Sequence, residues 1–175
     1  MDQANGRGAG MSTPTLAQSE ELIFREARLL DERKFEEWID LYVEDAIYWI
    51  PAWRDDNTQT QDPDKELSLI YYRGRENLRD RVDRLKSGLS PASRVHPRVA
   101  HLISNVEIEQ KGQGEAIVHS TFAVHAYDPR TDRASCHFGH YLHRFRSADE
   151  GWKIASKIVR LANDLIPTVL DVNTI

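Results

Sequence analysis

Apolar residues recur at helical spacing through much of the N-terminal half of the chain. The pattern predicts a helix over residues 15–32, a short second helix around Trp38, and a third helix over residues 75–86. Between the second and third helices, residues 45–50 and 67–72 form β-rich runs separated by a polar loop. The chain is therefore expected to begin with two helices and a strand.

The C-terminal half changes to the alternating apolar pattern of strands. Four strands are predicted, with loops rich in Gly, Pro and Asp between them: residues 99–110, 115–127, 135–146 and 152–162. Helices followed by a mainly antiparallel meander are typical of the α+β class, in which helices cover one face of the sheet. A curved sheet wrapped on a helix forms a cone, whose concave side offers a pocket or a large interface.

The composition indicates one globular domain preceded by a tail. The chain has 175 residues, of which 40% are hydrophobic and 29% charged, so it can bury one core but is too short for two ordinary domains. We expect this domain to span residues 15–175. Residues 1–14 are rich in Gly and small polar residues and are predicted to form a flexible tail.

The charge balance argues against several classes of partner. The formal net charge of −5 opposes binding to the phosphate backbone of a nucleic acid, which requires clustered Lys and Arg. No run of about 18 apolar residues is present, and the N-terminus has no apolar segment of the kind that a signal peptide needs. We therefore expect no nucleic acid partner and no membrane span.

The cysteine and histidine content bears on metal chemistry. Cys136 is the single cysteine, which fits a reducing cytoplasm. A Rieske [2Fe–2S] centre takes two Cys and two His, so this chain cannot hold one alone. His137, His140 and His143 invite a metal hypothesis, but side chains alternate faces along a strand, so His140 should point away from the other two. We predict no metal site and no cofactor in this chain.

Several segments resemble a known family in order and spacing. They are Glu-Glu-Trp-Ile-Asp-Leu-Tyr at 36–42, Asp-Ala-Ile-Tyr-Trp-Ile-Pro-Ala-Trp at 45–53, Ser-Leu-Ile-Tyr-Tyr at 68–72, Leu-Arg-Asp-Arg-Val at 78–82 and His-Leu-Ile-Ser-Asn-Val at 101–106. Over about residues 22–172 the chain resembles the beta (small) subunits of Rieske-type aromatic-ring-hydroxylating dioxygenases, in particular the benzoate, toluate and anthranilate branch.

This resemblance implies a fold and a function. The family has a cystatin-like, NTF2-like α+β cone, and its beta subunit is a structural partner in the cis-dihydroxylation of an aromatic compound. The resemblance further implies that an alpha subunit carries the Rieske cluster and a mononuclear Fe(II). The two chains would form an alpha3beta3 hexamer in the cytoplasm, which contains a beta trimer and receives electrons from a reductase.

Two alternatives are compatible with the same cone. One is a free-standing isomerase or dehydratase, in which acid–base groups facing one cavity do the chemistry; the candidates are Asp45, Tyr48, His101 and His119. The other is a ligand-binding module. A catalytic cone needs an open pocket with Asp or His at its floor, whereas a structural subunit can fill its cone with side chains.

The sequence also suggests where subunits would meet. Large rings cluster where a predicted strand gives way to a polar loop, the chain stays apolar to its last residue, and Arg and aromatic residues are typical interface anchors. The resulting candidates are Trp49, Pro51, Trp53, Tyr71, Tyr72, Arg98, Leu165, Ile166, Val169, Leu170, Val172 and Ile175. The alternative for these residues is that they complete the chain's own core.

Overall fold

A computed structural model describes residues 13–87, 96–110, 112, 114–166 and 169–175. The predicted tail therefore lies almost entirely outside the described residues. The elements follow the predicted order: α1 Leu16–Asp31, α2 Phe35–Ile39, β1 Tyr42–Pro51, β2 Ser68–Arg73, α3 Arg75–Ser87, β3 Arg98–Gln110, β4 Glu115–Asp128, β5 Arg133–Ala148 and β6 Gly151–Leu161. Among the described residues, no helix combines the length and apolarity that crossing a membrane would need.

Local hydrogen bonds define both ends of α1. Thr15 is the N-cap: its side chain accepts from the Gln18 amide, and the Gln18 side chain accepts from the Thr15 amide. At the other end, Arg33 adopts a left-handed conformation with φ of 59°. The amides of Arg33 and Lys34 then donate to the carbonyls of Leu30 and Leu29, which is a Schellman ending.

The six strands form one curved sheet in the order β2-β1-β6-β5-β4-β3. Strands β3 to β6 are the predicted antiparallel meander. The pairing of β1 with β6 is parallel, with Tyr48 opposite Lys157, and the sequence pattern did not predict it. This pair joins the N-terminal helices and strands to the meander.

The two faces of the sheet differ in burial. Along β4, residues 116, 118, 120, 122, 124 and 126 are buried, whereas the residues between them are half-buried or exposed. Helix α1 packs beside β3 and α3 beside β1, so the buried side chains face the helices. We call this side the inner face and the opposite side the outer face.

Two features close the structure around β5. Gly139 is buried, and a Cβ at this position would lie 2.0 Å from the Arg160 carbonyl oxygen, so only glycine permits this approach of β6. The C-terminal segment, residues 171–175, is buried beside the same strand: Asp171 pairs with Arg81 of α3, and the Thr174 carbonyl lies 2.8 Å from His137 Nδ1.

Candidate functional site in the cone

A charged cluster lies inside the cone, centred on Glu26 of α1. Lys157 Nζ lies 3.0 Å from each carboxylate oxygen of Glu26. The Tyr42 hydroxyl donates to Oε1 at 2.5 Å, and Trp38 Nε1 donates to it at 3.4 Å. His143 Nε2 lies 3.2 Å from Oε2, which makes this nitrogen the protonated one. Glu26 is thus the common acceptor of four side chains.

The elements already described bring these side chains together. Glu26 falls on the buried side of α1 with Leu22, Ile23, Leu29 and Leu30. In the sheet, Lys157 lies directly opposite His143 on one side and Tyr48 on the other. Directly opposite residues point to the same face. The parallel pairing of β1 with β6 therefore places the lysine under the helix that carries its counter-ion.

Burial and the internal contacts act against each other in this cluster. Burial raises the pKa of Glu26, but the Lys157 ammonium and the hydrogen bonds from His143 and Tyr42 outweigh it and hold the pKa well below the usual 4.5. Burial lowers the pKa of Lys157 and that of His143, although Glu26 opposes both changes. Glu26 is therefore a carboxylate and His143 a neutral imidazole at neutral pH.

The cluster has acid–base groups but no access to a substrate. The exposed side-chain fractions of Glu26, Lys157 and His143 are 1%, 1% and 0%. General acid–base catalysis requires hydrogen-bond contact between the group and the reacting molecule. Around the cluster, the interior is filled by large side chains that are almost fully buried, namely Trp38, Tyr42, Tyr48, Phe122, Tyr141 and Phe145. The described cone is occupied by its own residues.

The four residues of the isomerase hypothesis do not form one site. Asp45 is exposed and pairs with Arg146 at 2.7 Å, and His119 is exposed and lies 3.4 Å from Glu109. Tyr48 and His101 do point inward. Their surroundings differ, because Tyr48 faces Lys157 whereas His101 Nδ1 lies 2.6 Å from Asp31 Oδ1. Alternation of faces along the strands therefore separates Asp45 and His119 from the other two, and different neighbours separate Tyr48 from His101.

The histidines of β5 follow the predicted alternation. His137 and His143 are fully buried on the inner face, whereas His140 is exposed on the outer face. No group of three or more His, Cys, Asp or Glu residues is arranged to hold a metal ion within the described parts of the chain. With one cysteine, the chain also lacks the ligands of a Rieske centre.

The interface candidates divide into three groups by burial. Four of them lie in the chain's own core instead of on its surface: Trp49, Pro51, Val172 and Ile175. The tertiary structure explains this burial, since the Trp49 indole donates to Ser68 Oγ and the C-terminal segment docks against α3 and β5. Five are half-buried, namely Trp53, Tyr71, Tyr72, Ile166 and Leu170, and three are exposed, namely Arg98, Leu165 and Val169. Only the last two groups offer surface to a partner.

Sequence reasoning missed Glu26 and Lys157. A signal for each was present, because Glu26 falls among apolar residues on one side of a predicted helix and Lys157 occupies an inward position of a predicted strand. Charged residues at core positions of two elements suggest a buried pair. No spacing rule links residues 131 positions apart, so the pairing itself is visible only in the structure.

Comparison with known proteins agrees with this architecture. The family model described as "Ring hydroxylating beta subunit" matches residues 25–168. The 2-halobenzoate 1,2-dioxygenase small subunit of Burkholderia cepacia is 42% identical over 150 residues, which is 86% of this chain and 90% of that protein.

Solved structures show the same relationship. The beta subunit of the benzoate 1,2-dioxygenase from Burkholderia mallei ATCC 23344 has a TM-score of 0.78 and 33% identity, covering 94% of this chain and all of that one. An NTF2-like protein with a cystatin-like fold from Novosphingobium aromaticivorans covers 85% of this chain and 82% of its own, with a TM-score of 0.58 and 17% identity. That likeness concerns the fold alone and confirms the predicted cone. The chain belongs to the family of ring-hydroxylating dioxygenase beta subunits, as its sequence motifs indicated.

Proposed function

We propose that this chain is the structural subunit of a dioxygenase whose alpha subunit binds the cofactors and carries out cis-dihydroxylation of an aromatic ring. The observation that carries the proposal is the filled cone: Glu26, the strongest acid–base candidate, is sealed among Lys157, His143 and aromatic side chains. The Rieske [2Fe–2S] cluster and the mononuclear Fe(II) would belong to the alpha subunit, because this chain has one cysteine.

The assembly is proposed to be an alpha3beta3 hexamer in the cytoplasm. A beta subunit implies an alpha-subunit partner, and a central trimer of this chain would give each copy equivalent contacts around one axis. Electrons from the reductase would reach the alpha subunit without passing through this chain. The half-buried and exposed interface candidates, among them Trp53, Arg98, Leu165 and Val169, would contribute to these contacts.

The proposed substrate class is a benzoate-type carboxylate. The similar proteins named above are subunits of a 2-halobenzoate and a benzoate dioxygenase. The choice among substrates would be made in the alpha subunit, since Glu26, Lys157 and His143 are buried inside the cone of this chain.

Reconstitution tests this function. The purified chain should be free of iron and inactive, and the complex with its alpha subunit should oxidise benzoates in preference to neutral arenes. Stoichiometric iron in the isolated chain would contradict the structural role, and exclusive turnover of neutral hydrocarbons would contradict the substrate class.

Two matched variants separate the structural role from the isomerase hypothesis. Tyr48→Phe removes an inward hydroxyl that has no hydrogen-bond partner in the described structure, and His119→Gln changes an exposed histidine. Both should leave the turnover number per assembled complex unchanged. A selective loss of activity in Tyr48→Phe, with assembly intact, would show that the cone takes part in the chemistry.

A further inference from the structure

Residues 171–175 are buried although the segment before them is not. Leu165 is 85% exposed, whereas none of residues 171–175 is more than 6% exposed. Val172 and Ile175 belong to the same hydrophobic core as Tyr141 of the inner face. We call residues 171–175 the plug, because they fill space inside the cone that a ligand would otherwise occupy.

The plug is a turn with its own hydrogen bonds. The Thr174 amide and hydroxyl both donate to the Asp171 carbonyl at 3.0 Å, and the Val172 amide donates to Asp171 Oδ1 at 2.8 Å. Two polar contacts fix this turn to the sheet and to α3: Arg81 Nε donates to Asp171 at 3.0 Å, and His137 Nδ1 donates to the Thr174 carbonyl at 2.8 Å. The turn can therefore leave the cone as a unit.

The inner face carries polar atoms that a filled core does not need. The Tyr141 hydroxyl and Nε2 of both His101 and His137 are buried without a hydrogen-bond partner in the described structure. Such atoms lower stability, and apolar side chains at the same positions would avoid the cost. A few polar groups in a mainly apolar surrounding are typical of a pocket that binds a small molecule.

The two histidines lie side by side and offer acceptors. Val124 lies opposite His101 on one side and His137 on the other, so the three side chains form a row on the inner face. His101 Nδ1 lies 2.6 Å from Asp31 Oδ1, as His137 Nδ1 lies next to the Thr174 carbonyl. In a neutral imidazole, an oxygen at Nδ1 fixes the proton there and leaves Nε2 as an acceptor. A ligand hydroxyl would supply the missing donor.

Tyr141 supplies an aromatic wall. Its ring stacks on Phe122 with the ring centres 4.0 Å apart. Burial raises the pKa of Tyr141, and the negative charges of Glu26 and Asp31 raise it further, so the hydroxyl stays protonated. Glu26 is a carboxylate, and Lys157 is already paired with it. The inner face therefore favours a neutral aromatic ligand over a carboxylate.

We propose that the inside of the cone is a binding site for a small neutral aromatic alcohol, such as a phenol, and that the plug occupies this site until the ligand displaces it. The ring of the ligand would replace Val172 and Ile175, and its hydroxyl would donate to His101 Nε2, because Asp31 holds that imidazole even without the plug. An apolar cavity of about 150 Å³ is large enough for benzene, so the displaced turn leaves sufficient room. The plug lowers the apparent affinity, since ligand binds only molecules from which the plug has left. This site goes beyond the proposed structural role and does not depend on it.

A pair of isoleucine variants tests the site. Ile175→Ala and Ile154→Ala each shorten a fully buried isoleucine, but Ile154 lies opposite Tyr42, whose hydroxyl already donates to Glu26. The full chain is titrated by calorimetry with phenol and with toluene, which has a methyl group in place of the hydroxyl. We expect Ile175→Ala to bind phenol about tenfold more tightly than the wild type does, and about tenfold more tightly than it binds toluene. Ile154→Ala should show no such preference. A folded Ile175→Ala chain that fails to bind phenol, or that binds toluene equally well, would overturn the proposal.

Loosening the plug from outside the core keeps the test open if Ile175→Ala does not fold. Arg81→Gln removes the ion pair with Asp171, and its control Arg79→Gln removes a pair with Glu36 on the same helix. Arg81→Gln should bind phenol several-fold more tightly than the wild type, and Arg79→Gln should match the wild type. Equal phenol affinity in Arg81→Gln and the wild type would show that residues 171–175 do not block the site.

Hydrogen exchange reports displacement of the plug in the wild-type chain. Saturating phenol should accelerate exchange of the Val172 and Thr174 amides, which are buried in the turn. Benzoate at the same concentration should not, because its carboxylate would have to be buried near Glu26. Unchanged exchange at saturating phenol would overturn displacement of the plug, and equal acceleration by benzoate would overturn the choice of a neutral ligand.

Discussion

The inner and outer faces of the sheet differ in how their charged side chains are buried and paired. On the inner face, Glu26 and Lys157 are buried and held at 3.0 Å, and His143 and Tyr42 complete the contacts of the carboxylate. On the outer face, Arg144 and Glu115 form an exposed ion pair, and Arg160 has no acidic partner among the described residues. Charges buried on the inner face are thus paired within the chain, whereas those on the outer face remain accessible to solvent.

The largest expected difference between the faces concerns their ion pairs. Lys157→Met leaves the Glu26 carboxylate buried without its cation, and we expect the free energy of unfolding to fall by about 3–5 kcal/mol. Arg144→Met on the outer face breaks an exposed pair with Glu115 and should cost less than about 1 kcal/mol. Urea denaturation measures both. Equal losses would mean that burial does not distinguish the two faces.

The second prediction concerns the residue that holds β5 and β6 in register. Gly139→Ala brings a Cβ against the Arg160 carbonyl, so we expect a loss of about 1–3 kcal/mol from forced separation of the strands. Gly112→Ala is the control, because a Cβ there meets nothing within 4 Å, and only its positive φ of 89° opposes alanine. If the control loses as much stability as Gly139→Ala, backbone conformation alone explains the requirement for glycine.

Acid should destabilise the chain through the inner face first. Burial lowers the pKa of His143, so the unfolded chain binds this proton first and stability falls as pH drops below 6.5, by up to about 1.4 kcal/mol per pH unit. The pKa of Glu26 is also lowered, which adds a loss below pH 4.5. His143→Gln should flatten the dependence of stability on pH between these two values. Unfolding midpoints of the wild type and the variant, measured from pH 4.5 to 7.5, test this, and an unchanged slope in His143→Gln would contradict it.

The smallest effect is expected at the exposed pair of Asp45 and Arg146. Asp45 is 69% exposed, so Asp45→Asn should cost about 0.2–1 kcal/mol, and 1 M salt should remove the difference. Thermal melts at low and high salt check this. A loss that persists in salt would show that Asp45 does more than pair at the surface.

The sequence predicted the bounds of the helices and strands more accurately than it predicted which of them lie side by side. The strand predicted over 115–127 is Glu115–Asp128, and the helix predicted over 15–32 is Leu16–Asp31, because periodicity and capping are local. The parallel partner of β1 was not predictable, since both strands read as apolar runs that could pair in several ways. The position of Ile175 was equally hard to predict, because an apolar residue there suits either an interface or the core. The docking of residues 171–175 places it in the core.

The parallel pair of β1 and β6 has a consequence for how the chain folds. Tyr48 and Lys157 are far apart in the sequence, so a long loop must close before they can pair. Closing the loop costs conformational entropy before the contact can offset it. Contacts of high sequence separation slow folding and leave apolar surface exposed meanwhile. During synthesis, Glu26 leaves the ribosome long before its lysine. The N-terminal helices therefore remain without their central strand partner until β6 has been synthesised, and we expect the cone to close only then.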